Sequence, residues 1–336
     1  MFSRAAIAST ILIAQPALAN DTVAELGTGG LILSRSDVIA MESEDLFISI
    51  DEITVDYVFR NRSDGDVKTI VAFPMPDIEA NPYGMTAIPD MASDNFLGFE
   101  LSIDGKPVQT QLEQKAYAVG IDITEELKAR DVPIFPFGEA AAKALAALPE
   151  TVAEEWRDRG ILTVDEYDDG SGMKRVRAPL WQLKSTYWWE AIFPAGREVR
   201  VGHRYRPSVG GTSSVSFMQD GKLQGEAYSE YKSRYCMDEG FERAVLKAAK
   251  ANPDGYPQFG ETRLSYILKT GGNWALGTIG KFKLTIDKGS PHNIVSFCGE
   301  GVEKTGPTTF QMTADDYYPN RNIDILILQP YNAGGG

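Results

Sequence analysis

Histidine and cysteine, the side chains that most often serve as catalytic bases, nucleophiles and zinc ligands, are rare in this chain. The sequence contains His203 and His292, together with Cys236 and Cys298. It has no H-E-x-x-H motif and no C-x-x-C pair, and therefore predicts no zinc site. A G-x-S-x-G motif is also absent, so the sequence does not indicate an α/β-hydrolase nucleophile. We predict no catalytic residue, no metal ligand and no cofactor.

The two histidines are the bases available for a Ser-His-Asp triad. His203 lies in a segment in which Val199 and Tyr205 share its face and arginines occupy the other face. This alternation favours a buried core histidine over a general base. His292 follows Pro291 in a turn, which favours an exposed loop residue.

A row of arginines occupies the polar face of the same segment. Arg200, Arg204 and Arg206 are spaced by even numbers of residues, so they lie on one side of a strand. Such a row can bind an anionic ligand. The alternative is cross-strand pairing with acidic residues such as Glu52 and Asp56.

The segment 180–193 carries three tryptophans and a tyrosine, Trp181, Tyr187, Trp188 and Trp189. Adjacent strand residues point to opposite faces, so Trp188 and Trp189 cannot both enter one core. Packing in the core or against an insertion is favoured, and a ligand or partner surface is the alternative. Trp188 and the three arginines are therefore the candidate binding residues.

Carboxylates give weaker indications of chemistry. Within the acidic loop Asp165–Gly172, the residues Asp165–Gly170 resemble the start of an EF-hand loop, but Tyr167 and Val176 occupy positions that require oxygen ligands. We predict a solvated acidic loop there rather than a calcium site. A pair of carboxylates could hydrolyse a glycoside, but the sequence does not identify such a pair.

The first nineteen residues have the pattern of a secretory signal peptide. Arg4 supplies the positive charge, 5–14 is apolar, and Ala17-Leu18-Ala19 is a small-residue cleavage site. We expect cleavage between Ala19 and Asn20 and a periplasmic or secreted product. The apolar stretch is too short to span a bilayer, and no second long apolar run follows, so we expect no transmembrane segment.

Composition restricts the partners. The chain has 33 Lys and Arg against 47 Asp and Glu, a net charge of −14, which argues against nucleic-acid binding.

In an exported protein the pair Cys236 and Cys298 predicts one disulfide. Closing a loop of about sixty residues would stabilise the fold by roughly 4 kcal/mol.

Period-two alternation indicates strands through most of the chain. The strand of Leu46–Asn61, the turn at 63–66 and the strand of Lys68–Phe73 predict a β-hairpin. Asp104-Gly105 predicts a second hairpin with a type I′ turn, Asp238–Ala251 predicts a helix, and Asn322–Leu328 predicts a central strand.

We therefore expect a mainly β (α+β) protein with antiparallel, sandwich-like sheets. The expected organisation is a signal peptide (1–19), a β-sandwich-like domain (20–120 plus 179–214), a helical insertion (121–178), a β-rich domain with the disulfide (215–330) and a flexible tail (331–336).

Several short motifs resemble the bacterial DUF4424 family of exported proteins. They are Gly29-Gly30-Leu31, Ser36-Asp37, Met41-Glu42-Ser43-Glu44-Asp45-Leu46, Phe59-Arg60-Asn61, Phe73-Pro74-Met75-Pro76, Phe193-Pro194-Ala195-Gly196, Tyr205-Arg206-Pro207-Ser208-Val209-Gly210-Gly211, Tyr235-Cys236, Asn273-Trp274-Ala275 and Ser296-Phe297-Cys298-Gly299-Glu300-Gly301. The resemblance implies an exported protein of uncharacterised function and supplies no catalytic residues.

The expected function is non-enzymatic binding or interaction within the cell envelope, with an envelope protein or a glycan as partner. The alternative is a metal-independent glycan hydrolase that uses an Asp/Glu pair. A third hypothesis places the function in the insertion 121–178.

Overall fold

The computed structural model describes residues 20–27, 30–80, 85–168 and 170–331. The expected signal peptide with Ala19, and residues 332–336 of the expected tail, lie outside this part of the chain. Strands dominate the described residues, so the protein is mainly β, as predicted.

The first sheet has seven strands among the described residues. They are β1 (Thr22–Gly27), β2 (Gly30–Ser34), β5 (Val67–Pro74), β6 (Ile78–Glu79), β10 (Gln111–Ala118), β11 (Ile121–Asp122) and β14 (Gln182–Phe193). The long strand β14 pairs with β10 on one side and with β5 on the other. Its residues alternate between buried and more exposed, so one face of this sheet belongs to the core.

The second sheet has eight strands in the part of the chain described. They are β3 (Ile39–Ile48), β4 (Ile53–Asn61), β8 (Glu100–Ile103), β9 (Lys106–Val108), β15 (Glu198–Tyr205), β20 (Ala275–Asp287), β22 (Glu303–Lys304) and β23 (Thr309–Tyr317). β20 joins this sheet by pairing in parallel with β3. The sheet therefore combines strands from both sides of the domain boundary expected at residues 214/215.

The two sheets pack face to face through one hydrophobic core, which includes Phe59, Phe73, Trp189 and Leu284. The same core extends to a third, five-stranded sheet. Its strands are β7 (Met85–Ala87), β16 (Val209–Thr212), β19 (Phe259–Tyr266), β21 (Ile294–Phe297) and β24 (Ile323–Pro330). β24 has a partner on each side, which confirms the predicted central strand.

Five helices are present among the described residues. They are α1 (Thr124–Lys128), α2 (Gly138–Ala147), α3 (Glu150–Asp158), α4 (Glu226–Tyr235) and α5 (Glu239–Lys250). The predicted helix in the C-terminal half is confirmed as α5, and the Asp238 side chain caps it by accepting from Phe241 N at 2.7 Å. Both α4 and α5 pack on the five-stranded sheet through their own cluster of buried residues.

Within 121–178, the structure contains a hairpin as well as α1–α3. Its strands are β12 (Leu162–Asp168) and β13 (Met173–Pro179). The acidic loop expected over Asp165–Gly172 is therefore wrong for Asp165–Asp168, which belong to β12. Arg175 and Arg177 pair with Glu150 of α3, and these ion pairs hold the hairpin beside the helices. The pairing of Glu166 with Arg175 across the hairpin is not visible from the acidic run alone.

One hairpin prediction was wrong and another is confirmed. β4 and β5 do not pair: β4 lies in the second sheet and β5 in the first, so the intervening turn crosses the sandwich. Asp104 and Gly105 both have positive φ, as a type I′ turn requires, and they connect β8 to β9. The remaining short strands are β17 (Met218–Gln219) and β18 (Lys222–Leu223).

Cys236 and Cys298 form the predicted disulfide. Cys236 follows α4 and Cys298 follows β21, so the bond attaches this helix to the five-stranded sheet. No helix in the described ranges combines the length and the apolar character needed to cross a membrane.

Candidate functional site

An open cleft of about 1260 Å³ lies between the end of the second sheet and the five-stranded sheet. The turn after β3 contributes Ser49 and Asp51, the last residue of β20 is Asp287, and the turn after β20 contributes Ser290. The opposite side consists of β16, the start of β19 and the end of β24. Segments that are distant in the sequence therefore line one concave surface, which is the usual form of a small-molecule site.

Glycine forms part of the cleft surface for a steric reason. A Cβ atom on Gly211 would lie 2.9 Å from the carbonyl oxygen of Glu261 on the neighbouring strand. Gly210, Gly260 and Gly289 also line the cleft. Because these residues have no side chains, backbone groups remain accessible and the space stays open for a ligand.

Glu261 is buried at the inner side of this cleft. Its carboxylate accepts hydrogen bonds from Ser216 N at 2.6 Å, Ser216 Oγ at 2.8 Å and the Tyr231 hydroxyl at 2.9 Å. Arg263 Nη1 lies 3.8 Å from Glu261 and donates to the Tyr231 hydroxyl at 2.7 Å. This network satisfies Glu261 and fixes the cleft wall.

The rim carboxylates are less constrained than Glu261. Asp51 is exposed, and Asp287 is half-buried with one oxygen accepting from Gly289 N at 2.8 Å. Among the described lining residues there is no lysine, arginine or histidine. The cleft therefore presents negative charge, which attracts cations. Tyr331 and Phe47 add aromatic surface at its margin.

A second group of polar residues is enclosed in the sandwich, and we call it the core polar cluster: Asn20, Asp21, Glu44, Tyr57, His203 and Tyr266. All six are buried. Asp21 Oδ2 lies 3.4 Å from His203 Nε2, and both side chains are fully inaccessible. Burial raises the pKa of Asp21, and the nearby His203 opposes that rise.

His203 is enclosed by aromatic rings. Tyr57, Phe73, Phe99 and Trp189 present edges to it, at centroid distances of 5.4, 4.7, 5.1 and 5.3 Å. The predicted core position of His203 is confirmed, while its pairing with Asp21 was not predicted. No motif in the sequence connects these two residues.

Glu44 belongs to the other half of the core polar cluster. It accepts hydrogen bonds from Asn20 Nδ2 at 3.0 Å and from the Tyr266 hydroxyl at 3.3 Å, and the Tyr57 and Tyr266 hydroxyls are 2.9 Å apart. Burial raises the pKa of Glu44 to about 8, although the two hydrogen bonds oppose the rise. Because the cluster is enclosed, it serves stability rather than contact with a diffusing substrate.

The four candidate binding residues lie on opposite sides of the sandwich. Trp188 is half-buried on the outer face of the first sheet, between Gln111 and Ala72. Arg200, Arg204 and Arg206 are exposed beside the second sheet, with the first two on the outer face of β15. The tryptophan and the arginines therefore do not form one binding surface, and their involvement in binding stays a prediction.

Arg204 supports the alternative of acidic pairing. Its Nε donates to Glu52 Oε2 at 2.6 Å, from β15 to the residue just before β4, and Glu52 is one of the acidic partners that the sequence suggests. The Arg204 side chain is 65% exposed. We expect Arg204→Ala to lower the free energy of unfolding by less than about 1 kcal/mol, because exposed ion pairs contribute little. Urea denaturation at pH 7 measures this, and a larger loss would assign Arg204 a structural role.

No group of three or more His, Cys, Asp or Glu side chains in the described ranges is arranged to hold a metal ion. The sequence also gave no indication of the cleft residues. Asp51, Glu261 and Asp287 occur in separate segments, and no spacing rule connects them.

Comparison with protein families gives one match that covers nearly the whole chain. The family model described as "Domain of unknown function (DUF4424)" matches residues 19–326. A comparison with curated proteins finds no match.

Solved structures show a distant similarity. A Legionella pneumophila protein described as a "putative nutrient binding protein" is 14% identical, with 93% of this chain and 70% of that chain covered and a TM-score of 0.44. A two-domain M1 zinc metallopeptidase bound to L-tryptophan is 8% identical, with coverage of 88% and 44% and a TM-score of 0.22. The Deinococcus radiodurans M1 zinc metallopeptidase is 8% identical, with coverage of 88% and 43% and a TM-score of 0.21. The chain spans less than half of each metallopeptidase, and none of these similarities indicates a function.

Proposed function

This chain belongs to the DUF4424 family, whose domain has no assigned function. From the lining of its cleft, we propose that it is an exported protein that binds a small cationic solute able to form hydrogen bonds. The observation that carries this proposal is the lining of the cleft. Asp51 and Asp287 stand at its rim, and no basic side chain accompanies them among the described lining residues.

Electrostatics favours a cation in this cleft. Concave surfaces of one charge sign concentrate the field, and the net charge of −14 adds a favourable long-range potential. An ammonium or guanidinium group can form charge-assisted hydrogen bonds with Asp51 and Asp287. Tyr331, which is 50% exposed, offers a ring for a cation–π contact.

The lining chemistry favours binding over turnover. The described lining residues include no histidine, cysteine or lysine that would act as a base or nucleophile beside Ser49 or Ser290. For the glycan-hydrolase alternative, Asp51 and Asp287 are the carboxylate pair left in the cleft, because Glu261 is engaged by Ser216 and Tyr231. Asp51 is exposed, whereas a general acid in glycoside hydrolysis needs a desolvated site.

Export is the second part of the proposal. The signal-peptide pattern of residues 1–19 supports it, as does the disulfide between Cys236 and Cys298, because such bonds persist in oxidising compartments. The product would then meet its ligand in the periplasm or outside the cell.

Isothermal titration calorimetry tests the ligand class. Spermidine, L-arginine and glucosamine are titrated against the protein, with glucose and succinate as neutral and anionic comparisons. We expect at least one cationic solute to bind and succinate not to bind. Asp51→Asn and Asp287→Asn should each weaken binding about tenfold or more, since a hydrogen bond to a charged group contributes about 1.5–3 kcal/mol.

Glu190→Gln is the matched control for these titrations, because it removes one exposed carboxylate on the outer face of the first sheet, where Glu190 pairs with Lys68. It should leave the affinity unchanged. Binding that is equally strong in the Asp51 and Asp287 variants would contradict the proposed site. Release of reducing sugar from a glycan substrate, lost in Asp287→Asn, would support the hydrolase instead.

A further inference from the structure

The core polar cluster holds more buried acid than base. Asp21 and Glu44 are both enclosed, and among the described residues His203 is the basic side chain that contacts them, through Asp21. A buried carboxylate needs a cation or a proton, because an isolated charge in a protein interior is strongly unfavourable. Asp21 has His203 as its partner, whereas Glu44 has neutral donors only.

Asn20 lies against Glu44 in a fixed position. Its Nδ2 is 3.0 Å from Glu44 Oε2, and its carbonyl oxygen accepts from Thr270 Oγ1 at 2.8 Å. The next carbonyl, that of Asp21, accepts from Trp274 Nε1 at 2.6 Å. These contacts involve side chains far along the sequence, so the tertiary structure determines where Asn20 sits.

We propose that hydrolysis of the Ala19–Asn20 peptide bond creates the missing cation, and that the new α-ammonium group of Asn20 pairs with the buried Glu44 carboxylate. Water adds across the bond under an endopeptidase of the export pathway, which leaves a carboxylate on Ala19 and an amine on Asn20. The amine takes up a proton, and the buried Glu44 carboxylate then has a cation beside it. The inference rests on the export part of the proposed function and is independent of the ligand.

The geometry makes this pairing feasible. The backbone nitrogen belongs to the same residue whose side-chain amide contacts Glu44 at 3.0 Å, and Asn20 is fully buried beside that carboxylate. In an uncleaved chain this nitrogen is an uncharged amide. Burial then raises the pKa of Glu44 to about 8, and the side chain keeps a proton near neutral pH. Cleavage replaces that proton by an ion pair.

A thermodynamic cycle tests the pairing. The chain is prepared with a free amine at Asn20, by a protease that leaves no extra residue, and with a Gly-Ser extension before Asn20. Each form carries either Glu44 or Glu44→Gln, which keeps a side chain of similar shape whose carbonyl oxygen can accept from Asn20 while its amide group donates to the Tyr266 hydroxyl. With Glu44, we expect the extension to lower Tm by about 4 °C or more. With Glu44→Gln, the extension should have little effect.

Glu190→Gln again serves as the control, and the extension should lower its Tm as much as in the Glu44 form. An extension that leaves Tm unchanged with Glu44 would overturn the proposal. So would an equal Tm loss in the Glu44 and Glu44→Gln forms, since that result indicates only steric disturbance.

A second measurement applies if a variant does not fold. The mature protein is treated with an amine-reactive acylating reagent at pH 7, and the N-terminal peptide is quantified by mass spectrometry. We expect labelling of the Asn20 amine to be at least about tenfold slower in the folded than in the unfolded protein. Equal labelling, or a protein recovered from the cell envelope whose first residue is not Asn20, would refute the inference.

Discussion

Replacing His203 by leucine should lower the free energy of unfolding by about 3–5 kcal/mol, because it removes one side chain of a buried acid–base pair. The substitution leaves the Asp21 carboxylate enclosed without its only basic neighbour among the described residues. Neither oxygen of the Asp21 side chain accepts a hydrogen bond from any of them. Guanidinium denaturation at pH 7, followed by tryptophan fluorescence, measures the change.

The double variant Asp21→Asn with His203→Leu separates the pair from general packing. It should recover part of the loss, because the uncompensated carboxylate is gone. His292→Leu, at an exposed turn residue, is the matched control and should stay within about 0.5 kcal/mol of the parent. A His203→Leu protein as stable as the parent would show that Asp21 does not need its partner.

Removing the disulfide should have the next largest effect on stability. Cys236→Ser combined with Cys298→Ser opens a bond that spans 62 residues, and should lower the free energy of unfolding by about 4 kcal/mol in the chain-entropy model. The bond connects the end of α4 to the strand edge after β21, so its loss releases both from each other. Chemical denaturation with and without a reducing agent measures the contribution.

The disulfide also supports the cleft, because α4, which it holds in place, contacts the cleft wall. Tyr231 of α4 donates to Glu261 at the inner side of the cleft, and Ser296 of β21 donates to the carbonyl oxygen of Tyr235. Detachment of α4 should therefore weaken ligand binding as well as stability. A reduced protein that is fully stable and binds its ligand normally would contradict this prediction.

Much of the local structure follows from the sequence. Alternation of apolar and polar residues indicates β4 and places His203 on a buried face, and Asp104-Gly105 determines a hairpin because both residues adopt positive φ. Two cysteines allow one pairing, and Asp238 with the apolar residues that follow determines α5. These features depend on residues close in sequence or on a single possible pairing.

The tertiary structure decided which strands are neighbours, and with them the site. Alternation shows which face of a strand is buried but not which strand lies beside it, so β4 and β5 were expected as a hairpin and instead belong to different sheets. The parallel contact of β20 with β3 brings Asp287 near Asp51, and the packing of the first sheet on the second brings Asp21, the residue before β1, to His203 of β15. These residues meet because the whole chain minimises exposed apolar surface, and that global balance has no signature in any local sequence pattern.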